Sequence, residues 1–258
     1  GIVKRDVIRV VTPGTVMESN LLEEKKNNYL MSIYKSGIFY GVTVCDVSTG
    51  DFRTTQIKDN NNFALLMDEI SRYSPVELIV NPMMYECSEE IDKIRTRFDV
   101  YISKLEEEEF VTTDDSSCMK YRLVNDNDDD VDSFEGMELC RFSTNAMTKY
   151  LKDTQKTNLD HINKLVVYNV TKYMSLDINA RRNLEITEKL RDKSKKGTLL
   201  WVLDKTATAM GGRMLRRWLS DPLVDEVQIN KRLNSVEELK NNIILRGDIT
   251  EALKKVYD

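Results

Sequence analysis

Histidine is almost absent from this sequence and cysteine is sparse. The 258 residues hold one histidine, His161, and four cysteines, Cys45, Cys87, Cys118 and Cys140, none of them in a CxxC pair. A structural zinc needs four nitrogen or sulfur ligands at short spacings, and widely scattered thiols do not make a disulfide framework, so both are set aside. Reduced, mostly buried thiols are expected. Long apolar runs are lacking too. Nothing approaches the roughly 18 consecutive apolar residues of a membrane-spanning helix, and no charged-then-apolar leader is legible at the start. A cytoplasmic protein with no membrane partner is the expectation. Nor is charge of one sign in excess overall, since 43 acids stand against 38 bases for a net −5. The balance is uneven along the chain: residues 105–138 hold 13 acids against Lys120 and Arg122, whereas 170–258 hold 18 bases against 13 acids. So mild a basic half does not by itself call for a nucleic-acid partner.

What is present is enough apolar residue, 41%, to bury one large core or two small ones. Val7–Val11 reads as a strand ended by the turn Thr12-Pro13-Gly14-Thr15. It has no partner upstream, so the chain is expected to begin on the last strand of another domain. Three β-like runs follow, at Tyr29–Tyr34, Ile38–Val47 and Phe52–Ile57, parted by glycine-containing turns, and they predict an antiparallel meander. Phe63, Leu66, Met67 and Ile70 fall on one helical face. Val76–Val80, a helix through Ile91 and Ile94, and Val100–Ile102 then make a βαβ unit, which implies parallel pairing.

Residues 106–116 and 125–133 are acidic and polar, and read as exposed loops either side of a short helix around Met119–Leu123. Asp126, Asp128 and Asp130 alternate like the start of a calcium loop. Val131 and Met137 stand where such a loop requires Gly and a bidentate Glu, so a solvated loop is the better reading. Met147, Tyr150, Leu151 and Thr154 predict a helix that fades into a polar linker, 154–161, where a domain boundary is placed.

Beyond a strand-like Leu165–Val170 the signals turn helical. Leu176, Ala180 and Leu184 share one spacing; Met214, Leu215, Trp218 and Leu219 share another, stopped by Pro222. Asp225 and Gln228 suggest a capping box for a helix carrying Ile229, Leu233, Val236 and Leu239. A last helix is expected over 248–258, running on without a stop signal as though the chain continued. Arg181, Arg182, Arg213, Arg216 and Arg217 are read as salt-bridging and snorkelling side chains rather than phosphate ligands, and Trp201 and Trp218 as core anchors rather than base-stacking platforms. Gly211-Gly212, at about 1 kcal/mol of helix propensity each, implies a helix start or a close backbone approach there.

These residues resemble the bacterial MutS mismatch-repair family along nearly the whole chain. Val10-Val-Thr-Pro-Gly-Thr15 resembles the exit from its N-terminal mismatch-binding domain, and Asp46-Val-Ser-Thr-Gly50-Asp-Phe52 and Tyr150-Leu-Lys-Asp-Thr-Gln155 resemble its connector domain. Leu176-Asp-Ile-Asn-Ala-Arg181-Arg182-Asn183-Leu184-Glu-Ile186, Gly197-Thr-Leu-Leu-Trp-Val-Leu-Asp204 and Ala209-Met-Gly211-Gly-Arg213-Met-Leu-Arg-Arg217-Trp218-Leu219 resemble its helical core. The resemblance implies an α/β, RNase H-like connector with a mixed sheet and flanking helices, followed by an all-α lever. It implies residues 1–19 as the tail of a mismatch-binding domain, 20–157 as the connector, and 158–258 as the start of the core. It also implies a parent that binds mismatched duplex DNA, uses ATP with Mg²⁺, works as a homodimer and recruits MutL in part through the connector. The family's Phe-x-Glu wedge and its Gly-x-x-x-x-Gly-Lys-[Ser/Thr] phosphate loop do not occur in this sequence. The chain itself is therefore expected to be neither an ATPase nor a mismatch reader, and to hold no cofactor or metal. An RNase H-like connector also raises a nuclease reading, with Asp46 as a metal carboxylate beside Glu77 or Asp132. Two-metal cleavage needs carboxylates that converge, and Asp46 is expected instead to cap the turn that follows it.

Overall fold

The computed structural model describes residues 7–18, 21–60, 63–111, 119–156 and 159–256. They fall into two compact units, Gly1–Leu22 with Asn28–Val170, and Glu23–Asn27 with Thr171–Asp258.

The first unit is built on a mixed seven-stranded sheet. Strands β1 (Leu30–Ser36), β2 (Phe39–Asp46) and β3 (Asp51–Lys58) form the predicted meander. Its two turns place Gly37 at φ +59 and Gly50 at φ +73, a region that costs glycine nothing. Helix α1 (Ala64–Tyr73), β4 (Glu77–Val80), α2 (Pro82–Tyr85), α3 (Ser88–Arg97) and β5 (Tyr101–Lys104) add the βαβ unit. Helix α4 (Glu107–Val111), β6 (Arg122–Asn125), α5 (Glu138–Gln155) and β7 (Lys164–Val167) complete it. The strand order is β5-β4-β1-β2-β3-β7-β6; only β1/β2 and β2/β3 pair antiparallel.

The sheet is covered on both faces, because alternate residues of one strand feed different cores. From β1, Met31 and Ile33 join Leu66, Ile70, Ile91 and Ile94 on one side. Leu30 and Tyr34 join Phe110, Ala146, Met147 and Leu151 on the other. Helix α5 lies directly on the sheet. A Cβ at Gly41 would stand 1.9 Å from the Leu139 carbonyl oxygen, so only glycine lets the helix approach this closely. The same contact holds a buried hydroxyl cluster, in which Thr43 Oγ1 lies 2.7 Å from Ser143 Oγ, 3.1 Å from Thr144 Oγ1 and 2.9 Å from Thr54 Oγ1.

Three expectations give way here. Val7–Val11 is not in a strand; Val10 N–H donates to the Thr154 carbonyl at 2.7 Å, and Arg9 bonds Glu18 at 2.6 Å and the Thr15 carbonyl at 3.0 Å. The acidic stretch contains helix α4, because Phe110 is fully buried and draws Glu107–Val111 onto the sheet unit. Where a helix was expected around Met119–Leu123 there is strand β6, which gains parallel pairing with β7 from Arg122↔Lys164 to Asn125↔Val167. The sheet thus takes in Lys164–Val167, beyond the polar linker, and the first unit runs on to Val170.

The second unit contains α6 (Ile178–Asn183), α7 (Leu199–Leu203), α8 (Ala209–Ser220), α9 (Glu226–Asn241) and α10 (Ile243–Leu253). Each begins at a side-chain cap on the amide three residues on: Asp177 to Ala180 at 2.7 Å, Thr198 to Trp201 at 3.2 Å, Thr208 to Gly211 at 3.0 Å, Asp225 to Gln228 at 2.9 Å and Asn242 to Leu245 at 3.0 Å. Such caps satisfy amides that a helix start leaves without partners. The cap at Asn242 also corrects the last helix, which starts at Ile243 rather than at 248 and ends at Leu253.

Candidate functional site

The sheet unit brings two motif segments to the N-terminal end of β1 and β4. Asp46, fully buried at the end of β2, accepts from Ser48 N (3.0 Å) and Ser48 Oγ (2.7 Å) with Oδ1 and from Asn28 N (3.2 Å) with Oδ2. Its carbonyl accepts from Gly50 N at 2.8 Å. Asp46 closes the turn, as its position in the sequence suggests, and also ties that turn to the entry of β1.

The Thr12–Thr15 turn docks on Glu77, the first residue of β4. Glu77 is fully buried, and its two oxygens accept from Gly14 N (2.8 Å) and Tyr150 OH (2.6 Å). Burial, and then the bond to Glu77, pushes the Tyr150 hydroxyl well above the ordinary tyrosine range. A Cβ on Gly14 would meet Leu30 Cβ at 2.9 Å and Glu77 Oε2 at 3.0 Å. Gln155 Nε2 donates to the Thr15 carbonyl at 3.1 Å. Three stretches distant in sequence, 12–15, Glu77 and 150–155, therefore form one anchor. The sequence offers Glu77 as a strand residue and as a candidate metal carboxylate, not as this anchor; a lone acid opening an apolar β4 is the signal for its buried role.

Among the described residues neither carboxylate belongs to a group of three that could hold a metal ion. Asp132 is exposed in the acidic loop, and among the described residues no three His, Cys, Asp or Glu side chains are grouped to hold a metal ion. The alternating acids pair with bases instead: Asp128 with Lys164 at 2.7 Å, Asp130 with Arg122 at 2.5 Å, and Asp126 with Arg53 at 3.8 Å.

In the helical unit the motif residues gather around Asp204, at the end of α7. Its side chain is 6% exposed and receives Lys195 Nζ (2.5 Å), Thr206 Oγ1 (2.6 Å) and Lys25 Nζ (3.3 Å). Burial works to raise this carboxyl, but the bonds from Lys195, Thr206 and Lys25 override it and hold it well below the ordinary carboxylate range. Lys25 also donates to Thr206 Oγ1 at 3.0 Å.

Beside it, Gly211 opens α8 on the Thr208 cap, and Gly212 is buried under the Lys25 stem, where a Cβ would come to 2.6 Å of Lys25 Cδ. The glycine pair thus marks a helix start together with a close approach, made by residues 23–27 rather than by another helix. Arg213 Nη1 donates to the Glu24 carbonyl at 2.7 Å.

Arg181 serves the other end of α8, donating to the Ser220 carbonyl at 2.6 Å with Asp221 at 3.7 Å, and Arg216 faces Glu188 at 3.6 Å. Both are salt-bridging side chains, as expected. Arg182, Asn183 and Leu184 are exposed, and Arg217 contributes its carbonyl to the Asp221 cap. Trp218 and Trp201 are not core anchors: they are 38% and 48% exposed, and Arg232 lies over the Trp218 ring at 3.8 Å.

In Lys196-Gly197-Thr198 the Thr198 hydroxyl is buried and donates to the Lys195 carbonyl at 2.7 Å, so it is spent on the local turn.

Comparison with known proteins agrees with this two-part layout. A family model described as MutS domain II matches residues 28–163, and one described as MutS domain III matches 179–258. The chain belongs to the MutS family. It is 47% identical over 258 residues to the DNA mismatch repair protein MutS of Ruminiclostridium cellulolyticum. It is 48% identical over 263 residues to that of Acetivibrio thermocellus, and 45% over 259 residues to that of Clostridium botulinum. All of this chain is covered each time, and it spans 27–29% of those MutS proteins. The domain II match lies on the sheet unit and the domain III match on the helical unit, while residues 23–27 fall in neither. No helix among the described residues is long and apolar enough to cross a membrane.

Proposed function

We propose that this chain is the connector and lever of a MutS mismatch-repair protein, with 1–19 leading out of a mismatch-binding domain, about 20–157 serving as connector and the rest opening the core. The parent binds mismatched duplex DNA, hydrolyses ATP with Mg²⁺ elsewhere in the molecule, works as a homodimer in the cytoplasm and recruits MutL. This stretch transmits between the DNA and ATP sites and offers a MutL-docking surface on its sheet unit. It performs no catalysis of its own.

The observation that carries the reading is the likeness at 45–48% identity across the entire chain, over two consecutive MutS domains. A packed sheet unit followed by a run of capped helices also suits the role, since rigid elements can pass a discrete rearrangement from one site to another.

The test is binding of the whole chain to immobilised MutL at low salt, with bovine albumin as the control surface. Saturable binding to MutL alone is expected, and its absence would remove docking from the reading. Incubation with Mg²⁺ or Mn²⁺ and labelled DNA or RNA should yield no cleavage; cleavage abolished by Asp46→Asn would replace the connector reading with a nuclease.

A further inference from the structure

Residues Glu23–Asn27 belong to the helical unit, whereas Leu22 and Asn28 on either side belong to the sheet unit. The chain therefore crosses between the units after residues 22, 27 and 170. The short excursion is held by side chains rather than by secondary structure. Lys25 Nζ reaches Asp204 Oδ1 at 3.3 Å and Thr206 Oγ1 at 3.0 Å, with its stem against Gly212. Lys26 Nζ meets Glu188 at 3.1 Å, and Arg213 holds the Glu24 carbonyl at 2.7 Å.

We propose that Glu23–Asn27 is a releasable strap, clasped onto the helical unit by Lys25 lying across Gly212 into the Asp204–Thr206 pocket. Closed, it gives the two units three covalent crossings; released, it leaves only the crossing after residue 170. Three features favour a strap that opens over a permanent seam. The clasp is polar, Lys25 and Lys26 are each 41% exposed at the side chain, and the strap, Glu-Glu-Lys-Lys-Asn, has no apolar side chain to bury. Bonds of this kind are individually weak and compete with water and salt. Asp204 keeps Lys195 as a partner when Lys25 leaves, so opening strands no buried charge. The inference stands on the chain's own contacts, independently of whether the parent couples DNA to ATP.

Trypsin reads the strap directly, because Lys25 and Lys26 are its cleavage sites and Lys193 and Lys196, in the exposed loop before α7, are internal references. Where opening is fast relative to cleavage, the rate follows the population of the open form. In the whole chain, cleavage after Lys25 and Lys26 is expected to be about tenfold slower than after Lys193 and Lys196. Gly212→Leu favours helix α8 but blocks the Lys25 stem, and should raise strap cleavage about tenfold while hydrogen exchange in α8 stays protected. Lys25→Met keeps a similar stem without the charge, and should raise cleavage after Lys26 without altering the reference sites. Strap cleavage as fast as at the references in the unsubstituted chain, or no change after Lys26 in Lys25→Met, would overturn the proposal.

Discussion

The two units differ in where their stability comes from. In the sheet unit β1 and β2 are buried on both faces, and the large side chains of two cores are almost wholly removed from water. In the helical unit Leu200 is the one buried hydrophobic side chain among the described residues, while Leu233, Val236 and Ile244 stand 58–79% exposed. Its helices rest on caps, on the Arg181 and Asp204 bonds and on the Trp218–Arg232 stack. Regular structure can thus be held by packing in one case and by local polar bonds in the other. The two should fail under different stresses.

The hardest way to break the sheet unit is Gly41→Ala. The added methyl meets the Leu139 backbone at 1.9 Å, and neither β2 nor α5 can yield without disturbing the Thr43–Ser143 cluster. We expect a loss of about 3 kcal/mol or more, beyond the usual overpacking cost. Hydrogen exchange in the sheet unit across a urea titration measures it; a loss below about 1 kcal/mol would mean that α5 stands farther from β2.

Glu77→Ala comes next. It leaves the Gly14 amide and the Tyr150 hydroxyl without their acceptor in a buried setting, at about 2–3 kcal/mol. Glu77→Gln should recover part of this, since its amide oxygen can still accept one of the two. Unlike Gly41→Ala, this change also frees one end of the 12–15 turn, so proteolysis within 7–18 should rise before the sheet itself unfolds.

How much of this was legible in the sequence follows the same division. Every helix of the second unit starts at a residue whose side chain caps it locally, and those caps stand in the sequence at fixed offsets, as at Asp225 and Gln228. The meander was legible for the same reason, its turns being written in Gly37 and Gly50. Strand β6 was not, because Arg122–Asn125 is polar and short and becomes a strand only by pairing with β7, 42 residues later in register. Helix α4 was hidden because a single buried Phe110 outweighs its acidic neighbours. Of the candidate site, Asp46 could be placed from its turn, but Lys25 and Glu77 act through partners 179 and 63 residues away. No local pattern announces such pairs.

The helical unit should respond to acid through Asp204. Asp204 sits below its ordinary value when folded, so the stability it contributes is present above the unfolded carboxylate pKa of about 3.9 and is lost as pH falls toward the folded value. Asp204→Asn should cost about 1–2 kcal/mol near pH 7. The gap between variant and unsubstituted chain should narrow as pH drops below about 4. Exchange in α7 and α8 over that range is the measurement, and a gap independent of pH would assign the effect to hydrogen-bond geometry instead of charge.

The smallest effect sharpens the comparison most. Ile79 on β4 is fully buried, and Ile244 on α10 is 79% exposed, so one substitution can be made in two settings. Ile79→Ala removes buried methylenes and should cost about 2–5 kcal/mol, whereas Ile244→Ala should stay within about 0.5 kcal/mol because water already surrounds the side chain. The transfer term scales with area removed from water, and for Ile244 in this chain that area is small. If Ile244→Ala instead proves costly, α10 is packed against something in solution, and the helical unit would have to be counted among packed bodies rather than capped ones.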